Sequence, residues 1–301
     1  MDDDAICLGV DTIVNHQGIE YQIRVDYAEK ADTTSESIVY DFGQEAFAQF
    51  LILADGKKGD TLYVSIGECL KNGHVDTQPG VFRRYEEFSI PMLDGFHSYR
   101  PVIERKPYGK DTYAIGMPKK IGEVMPFRFV EVYNASDFQR IKVKRLVFSS
   151  PFNEKASEFY CDNEKLNRVW EFCKYSIKAT SFSGYYIDGD RERRPYEADA
   201  LINQLSHFAV EAYYPISYRT CQHLLDYPTW PTEWMFQTIM LAWNHYLYTG
   251  DDRILRNNYE LLQLHALFEL VDPDTKLVTT KKAICSFPIF TKVKRHAERY
   301  C

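Results

Sequence analysis

The 301 residues are 45% hydrophobic, 26% charged and 15% aromatic, which excludes a disordered chain, a collagen-like fibre and a membrane-spanning bundle. Lys and Arg number 36 against 43 Asp and Glu, a net charge of −7, the wrong sign for a general nucleic-acid or polyanion binder and one that leaves room for a neutral substrate. At roughly 100–200 residues per domain the length implies two domains, each able to bury a core without metal or disulfide staples. With 22 Tyr, 19 Phe and 4 Trp, the ring content suits surfaces that carry flat apolar sugar faces, although most rings serve a core. The seven cysteines show no CxxC spacing and read as reduced or buried thiols.

Met1-Asp2-Asp3-Asp4-Ala5-Ile6 is acidic where a secretory signal wants Lys or Arg, and no stretch approaches the ~20 apolar residues of a spanning helix. The expectation is a soluble piece with no membrane partner, the compartment of a longer parent being left open. From there to about Ser150 the apolar pattern has period two. Gln22–Tyr27, Ser37–Phe42, Thr61–Ile66 and Arg140–Phe148 read as strands, separated by turn chemistry at Asp55–Asp60, Lys71–His74 and Leu93–Gly95. Many short strands without a helical stripe predict a β-sandwich of jelly-roll type over residues 1–150. Gly43–Phe50 is open to two readings, a helix or a strand bending around a sheet corner. Asn134-Ala135-Ser136 fits the glycosylation pattern, meaningful only in a eukaryotic secretory setting.

After Ser149-Ser150-Pro151 the period becomes helical. Leu166, Trp170, Cys173 and Ile177 recur on one face behind an Asp162 or Asn163 cap. Further helices are expected over Pro195–Tyr213, Ser217–Leu225, Thr232–Tyr248 and Asp251–Leu270, with no fixed-period repeat, so residues 151–278 read as a helical toroid or bundle. Residues 279–301, with Lys281, Lys282, Lys292, Lys294, Arg295 and Arg299 against Glu298, read as a basic, poorly ordered tail.

Tyr185–Ala200 is densely charged yet framed by aromatic and small residues. Pro195 suits a first helical position, which would make Asp188–Arg194 the loop into a helix and put Glu197 and Asp199 in its first turn. Two accounts fit. In one, Glu197 and Asp199 complement the helix dipole and Arg191–Arg194 form a surface salt-bridge cluster worth little. In the other, carboxyls gathered at a helix mouth differ in protonation state and do acid–base work on a glycosidic bond, Glu192 being the proton donor. The second requires Asp188 or Asp199 near Glu192, or burial, with the arginines pairing elsewhere, because an adjacent guanidinium would spoil a general acid.

Pro228-Thr229-Trp230-Pro231-Thr232-Glu233-Trp234 is a second candidate. Pro231 forces Trp230 to be extended, and Thr232 can cap the helix that Glu233 and Trp234 begin. Two indoles and a carboxylate at a helix mouth can form a sugar subsite, or the rings can pack between helices. The eight histidines show no HxxxH or HExxH pairing, Asp272-Pro273-Asp274 reads as a turn rather than a calcium loop, and there is no Gly-rich phosphate loop, so no metal and no cofactor are expected.

The charged segment resembles the acid motif of glycoside hydrolase family 78, the bacterial α-L-rhamnosidases, with Asp188, Arg191-Glu192 and, after an aromatic, Asp199-Ala200 at the matching positions. Tyr40–Gly43, Phe159–Asn167 and Tyr248–Asp251 also fit that family, so the resemblance runs from about Val39 to Leu270. It implies an inverting hydrolase of terminal rhamnosides without cofactor, with Glu192 as general acid and Asp188, Arg191 and Asp199 binding rhamnose hydroxyls. Trp230, Glu233 and Trp234 would line the site. Asp188-Gly189-Asp190-Arg191 is one residue shorter than the family spacing; Asp188 is favoured over Asp190 for the sugar because Tyr186 and Ile187 lead into it. The implied helical domain is an (α/α)6 barrel whose general base lies on a late helix. Five helical segments are only its opening part, so the expectation is an incomplete chain with the acid and sugar-binding half of a site and little hydrolysis of its own. The alternative is a non-catalytic carbohydrate-binding or scaffold protein.

Overall fold

The computed structural model describes residues 11–105, 113–134 and 140–279. The acidic leader, the sequon beyond Asn134 and nearly all of the basic tail lie outside these. The chain divides into two compact units, residues 1–108 with 116–151, and residues 109–115 with 152–301.

The first unit is a nine-stranded antiparallel sheet with a small hairpin. Its strands are β1 (Thr12–His16), β2 (Ile19–Tyr27), β3 (Lys30–Thr33), β4 (Ser37–Gly56), β5 (Thr61–Gly67), β8 (Tyr85–Pro91), β9 (Gly95–Tyr99), β10 (Met125–Tyr133) and β11 (Lys142–Ser149). The hairpin is β6 (Leu70–Lys71) with β7 (His74–Val75). Strand order is β1-β2-β11-β4-β10-β5-β8, with β3 and β9 also on β4. Every strand read from the period-two pattern is present.

β4 is the element that organises the unit. Its first part pairs with β3 and β10, and its second with β11 and β9. Between them Gly43 has φ +77°, a conformation that favours glycine at the bend. Asp41 steadies it, accepting from the Gly43 amide at 2.8 Å and gripping Arg128 through both oxygens at 2.6 and 2.8 Å. The bend coincides with a register shift in β10 between Phe127 and Phe129, and Arg145, 1% exposed, fills the gap. Its Nη1 donates to the Gln44 and Phe127 carbonyls at 2.7 and 3.0 Å, and its Nη2 pairs with Asp26. Carbonyls freed by the bulge are thereby satisfied rather than stranded. Gly43–Phe50 is thus strand, not helix, and even-numbered side chains on both sides of the bend (Ile38, Tyr40, Phe42, then Ala48, Phe50, Ile52) enter one core with Leu62, Val64 and Val132.

The β6–β7 hairpin is tied to β10 by Glu131, whose side chain is fully buried. It accepts from Ser37 Oγ at 2.6 Å and the Val75 amide at 2.8 Å, and its Oε1 lies 2.6 Å from His74 Nδ1. Burial alone would raise this carboxyl, but the donors Ser37, His74, Tyr133 and Val75 outweigh it and hold it low; the bond to Glu131 raises His74. The raised His74 contributes stability fully below its ordinary 6.5 and loses it as pH climbs through the folded value, whereas the lowered Glu131 contributes above its ordinary 4.5 and loses it on acidification. Hairpin protection is therefore expected to peak between about pH 4.5 and 6.5. Hydrogen exchange at the Val75 amide checks this, and His74→Gln should abolish the loss on the alkaline side. An unchanged alkaline limb would refute the assignment.

The second unit is helical: α1 (Glu164–Thr180), α2 (Glu197–Val210), α3 (Pro215–Asp226), α4 (Met235–Thr249), α5 (Arg253–Asn257) and α6 (Tyr259–His265), with 3-10 turns at Ser181–Ser183, Thr232–Trp234 and Phe268–Leu270. Asn163 caps α1 through its side chain, accepting from the Lys165 amide. The helix expected over 251–270 is broken at Asn258, whose side chain turns back to the Ile254 carbonyl and across to Gln222. Pro215, not Ser217, opens α3. Ala200, Ile216, Leu224, Leu241, Ala242 and Ile254 are fully buried in one core. No helix among the described residues is long and apolar enough to cross a membrane.

Candidate active site

The charged segment forms a loop closed on itself. The Asp188 amide donates to the Arg194 carbonyl at 3.2 Å, and the Arg194 amide returns a bond to Asp188 Oδ1 at 3.0 Å. Gly189 (φ +129°) and Arg193 (φ +50°) supply the turn. The expectation for Pro195 needs correction: Pro195 lies before the helix, Tyr196 is the extended N-cap, and α2 starts at Glu197. Arg194, restrained to extended geometry by the following proline, holds its guanidinium 5.3 Å from the ring of Tyr113 and 5.5 Å from that of Tyr196.

The reading of Arg191–Arg194 as a surface cluster fails for Arg193, while Arg191 is exposed. Arg193 is 0% exposed, donates twice to Asp190 Oδ1 at 2.9 and 2.7 Å, and lies 5.0 Å above the Phe182 ring. Its carbonyl accepts from the Ile115 amide at 2.7 Å. Asp190 is thus committed to the loop's interior, and Asp188 is the aspartate turned to its neighbouring carboxyls.

Three of the predicted residues share one electrostatic neighbourhood. Burial pushes Asp188 up to about 6, against its bond from the Arg194 amide, and the charges of Glu192 and Asp199 add to the rise. Asp199, in the first turn of α2, is raised by burial and again by Glu192. Glu192 is partly exposed, its Oε1 paired with Arg191 Nη2 at 2.5 Å and its Oε2 accepting from the Tyr196 hydroxyl. The condition that arginines pair elsewhere holds for Arg193 and Arg194 but not for Arg191. The segment therefore offers one carboxyl held by donors beside two that burial pushes toward the protonated form, a division of roles that acid–base chemistry uses.

The tryptophan segment meets this loop at two points. Glu197, 0% exposed, accepts from the Thr229 amide at 2.8 Å and from the Thr229 hydroxyl. Trp234 stands edge-on to Tyr196 at 6.0 Å, and Trp230, 77% exposed, lies 6.3 Å from Trp234 at 36°. Glu233 is exposed on the 3-10 turn. The expected cap from Thr232 falls on a side chain outside the described residues; Trp234 is the N-cap of α4, without a side-chain bond. Sequence reasoning gave Glu197 to the helix dipole and missed its partner, and it passed over Tyr196. The four-residue step from Glu192 to an aromatic is the signal that could have found the latter.

Among the described residues no group of three His, Cys, Asp or Glu is placed to hold a metal. Two other family-like stretches are structural. Asn167 bonds both the amide and the carbonyl of Cys161 at 2.9 Å, and Gly250 closes α4 in a left-handed cap (φ 72°) beside the Asp251–Arg253 pair.

Residues 154–274 match a family model described as the bacterial alpha-L-rhamnosidase 6 hairpin glycosidase domain. The chain is 22% identical over 249 residues to an alpha-L-rhamnosidase of Alteromonas sp. (strain LOR), covering 75% of this chain and 25% of that protein. In fold it is similar to the alpha-L-rhamnosidase of Dictyoglumus thermophilum (TM-score 0.61, 17% identity, 83% of this chain and 29% of that one). It is likewise similar to that of Streptomyces avermitilis, solved with L-rhamnose (TM-score 0.60, 15% identity, 84% and 25%). Residues 154–274 are thus similar to the six-hairpin domain of the bacterial α-L-rhamnosidases, and the chain spans about a quarter of the length of these relatives.

Proposed function

We propose that the helical unit carries the acid and sugar-binding half of a rhamnosidase site, for inverting hydrolysis of terminal rhamnosides. Glu192 is the general acid; Asp188, Arg191 and Asp199 bind rhamnose hydroxyls; Trp230 and Trp234 cover an apolar sugar face, with Glu233 at the rim. Residues 151–278 are read as the opening part of an (α/α)6 barrel behind a jelly-roll domain, residues 1–150. The observation that carries this reading is the convergence of Glu192, Asp188 and Asp199 at the mouth of α2, inside the stretch that matches the rhamnosidase model. An inverting reaction also needs a base about 6.5–9.5 Å from the acid, and the proposal places it outside the helices described.

A second reading, non-catalytic sugar binding, is favoured by one feature: both oxygens of Glu192 have donors, as suits a permanent carboxylate. Calorimetry with L-rhamnose and hydrolysis of an aryl rhamnoside separate the two. Rhamnose should bind the 301-residue chain, and Asp188→Asn or Asp199→Asn should weaken binding by about tenfold or more, the equivalent of one charged hydrogen bond. Turnover abolished by Glu192→Gln would establish hydrolysis by this chain; binding without turnover leaves the sugar-binding half. No binding at millimolar rhamnose would end both readings.

A further inference from the structure

The two donors on Glu192 differ in kind. Arg191 is a permanent donor on a side chain 63% exposed, so its pair with Oε1 suits only the ionised carboxyl and is screened by water. A tyrosine hydroxyl both donates and accepts. The Tyr196 hydroxyl on Oε2 can donate to the carboxylate and, once Glu192 takes up a proton on Oε2, accept that proton's hydrogen bond without either group moving. Tyr196 is itself fixed: it is the N-cap of α2, its ring lies under the Arg194 guanidinium at 5.5 Å, and it stands perpendicular to the Trp234 ring at 6.0 Å.

We infer that Tyr196 is the positioning residue of the site: it holds Glu192 in one orientation in both protonation states and links it to the Trp234–Trp230 pair, while Arg191 is a latch that favours the ionised state only. The inference rests on the proposed role of Glu192, but its test does not require turnover. When the latch opens, as when a ligand hydroxyl or carboxylate engages Arg191, Glu192 keeps its place through Tyr196.

The test is NMR of the 301-residue chain, with the Glu192 side chain and the Tyr196 ring carbons as probes. Tyr196→Phe keeps the ring and removes only the hydroxyl. It should let the Glu192 side chain average among rotamers, read in its side-chain couplings, with the near-ultraviolet circular dichroism unchanged. Arg191→Gln should leave Glu192 in its single rotamer. Conversely, Glu192→Gln should lower the Tyr196 phenol midpoint, which burial and the bond to Glu192 raise in the parent chain, a reading that stands if Tyr196→Phe folds poorly. An unchanged Glu192 rotamer in Tyr196→Phe, or an unmoved phenol midpoint in Glu192→Gln, overturns the inference. L-Rhamnose calorimetry on the same samples keeps the two ideas apart. A freed Glu192 side chain with no rhamnose binding defeats the rhamnosidase reading alone; rhamnose binding with Glu192 unmoved in Tyr196→Phe defeats the role of Tyr196 alone.

Discussion

Replacing Arg193 with methionine is expected to destabilise the helical unit by about 3–5 kcal/mol, the cost of leaving one partner of a buried ion pair uncompensated. Arg193 has 0% side-chain exposure, Asp190 13%, and the guanidinium also covers Phe182. Methionine replaces the stem but none of the donors, so Asp190 loses its two bonds from Arg193. All four tryptophans, Trp170, Trp230, Trp234 and Trp243, fall in this unit, so urea unfolding followed by indole emission reads its stability alone. Asp190→Asn combined with Arg193→Met should cost less than the sum of the two, since the variants share one interaction. A loss under about 1 kcal/mol for Arg193→Met would return the cluster to a surface ornament.

The second large effect is expected from Glu197→Ala. The Thr229 amide and hydroxyl, on a residue 0% exposed, would both lose their acceptor. At about 1–3 kcal/mol for each stranded donor, this variant approaches Arg193→Met in cost. Its signature differs, because the link it cuts lies between the acid loop and the tryptophan segment. Acrylamide quenching of Trp230 and Trp234 should increase and L-rhamnose affinity should fall, whereas α1 and its Trp170 remain unaffected. Glu197→Gln, which keeps one acceptor oxygen, should fall between. Equal quenching in Glu197→Ala and the parent chain would show that the segment is held by other means.

What could be read from the residues was local. Period-two alternation located the long strands, and the Leu166–Ile177 stripe behind an Asp162 or Asn163 cap located α1, although the side chains α1 buries are Lys174 and Lys178 while Leu166 and Cys173 are exposed. The Gly43 bend was undecided because the groups that satisfy it, Arg128 on Asp41 and Arg145 on the Gln44 carbonyl, come from strands far away in sequence. Pro195 misled for a similar reason: the ring interactions of Tyr196 with Arg194 and Trp234 favour one more extended residue before the helix begins. At the site, the carboxyl cluster was legible because Asp188, Glu192 and Asp199 sit on one short segment. Burial of Arg193, the grip of Glu197 on Thr229 and the Tyr196 bond were not, since each depends on which side chains the helical core turns inward.

The twenty-residue strand β4 has a consequence for how the chain is made. It accepts partners on both edges from β3, which directly precedes it, and from β9, β10 and β11, the last ending at Ser149. During synthesis only the β3 hairpin can form at once. The rest of β4 must wait, for β9 until about forty further residues have left the ribosome and for β11 until about ninety, a long-range closure of the kind that slows folding and exposes strands to the wrong neighbour. The nascent chain is thus most vulnerable to aggregation before any residue of the acid loop has been translated.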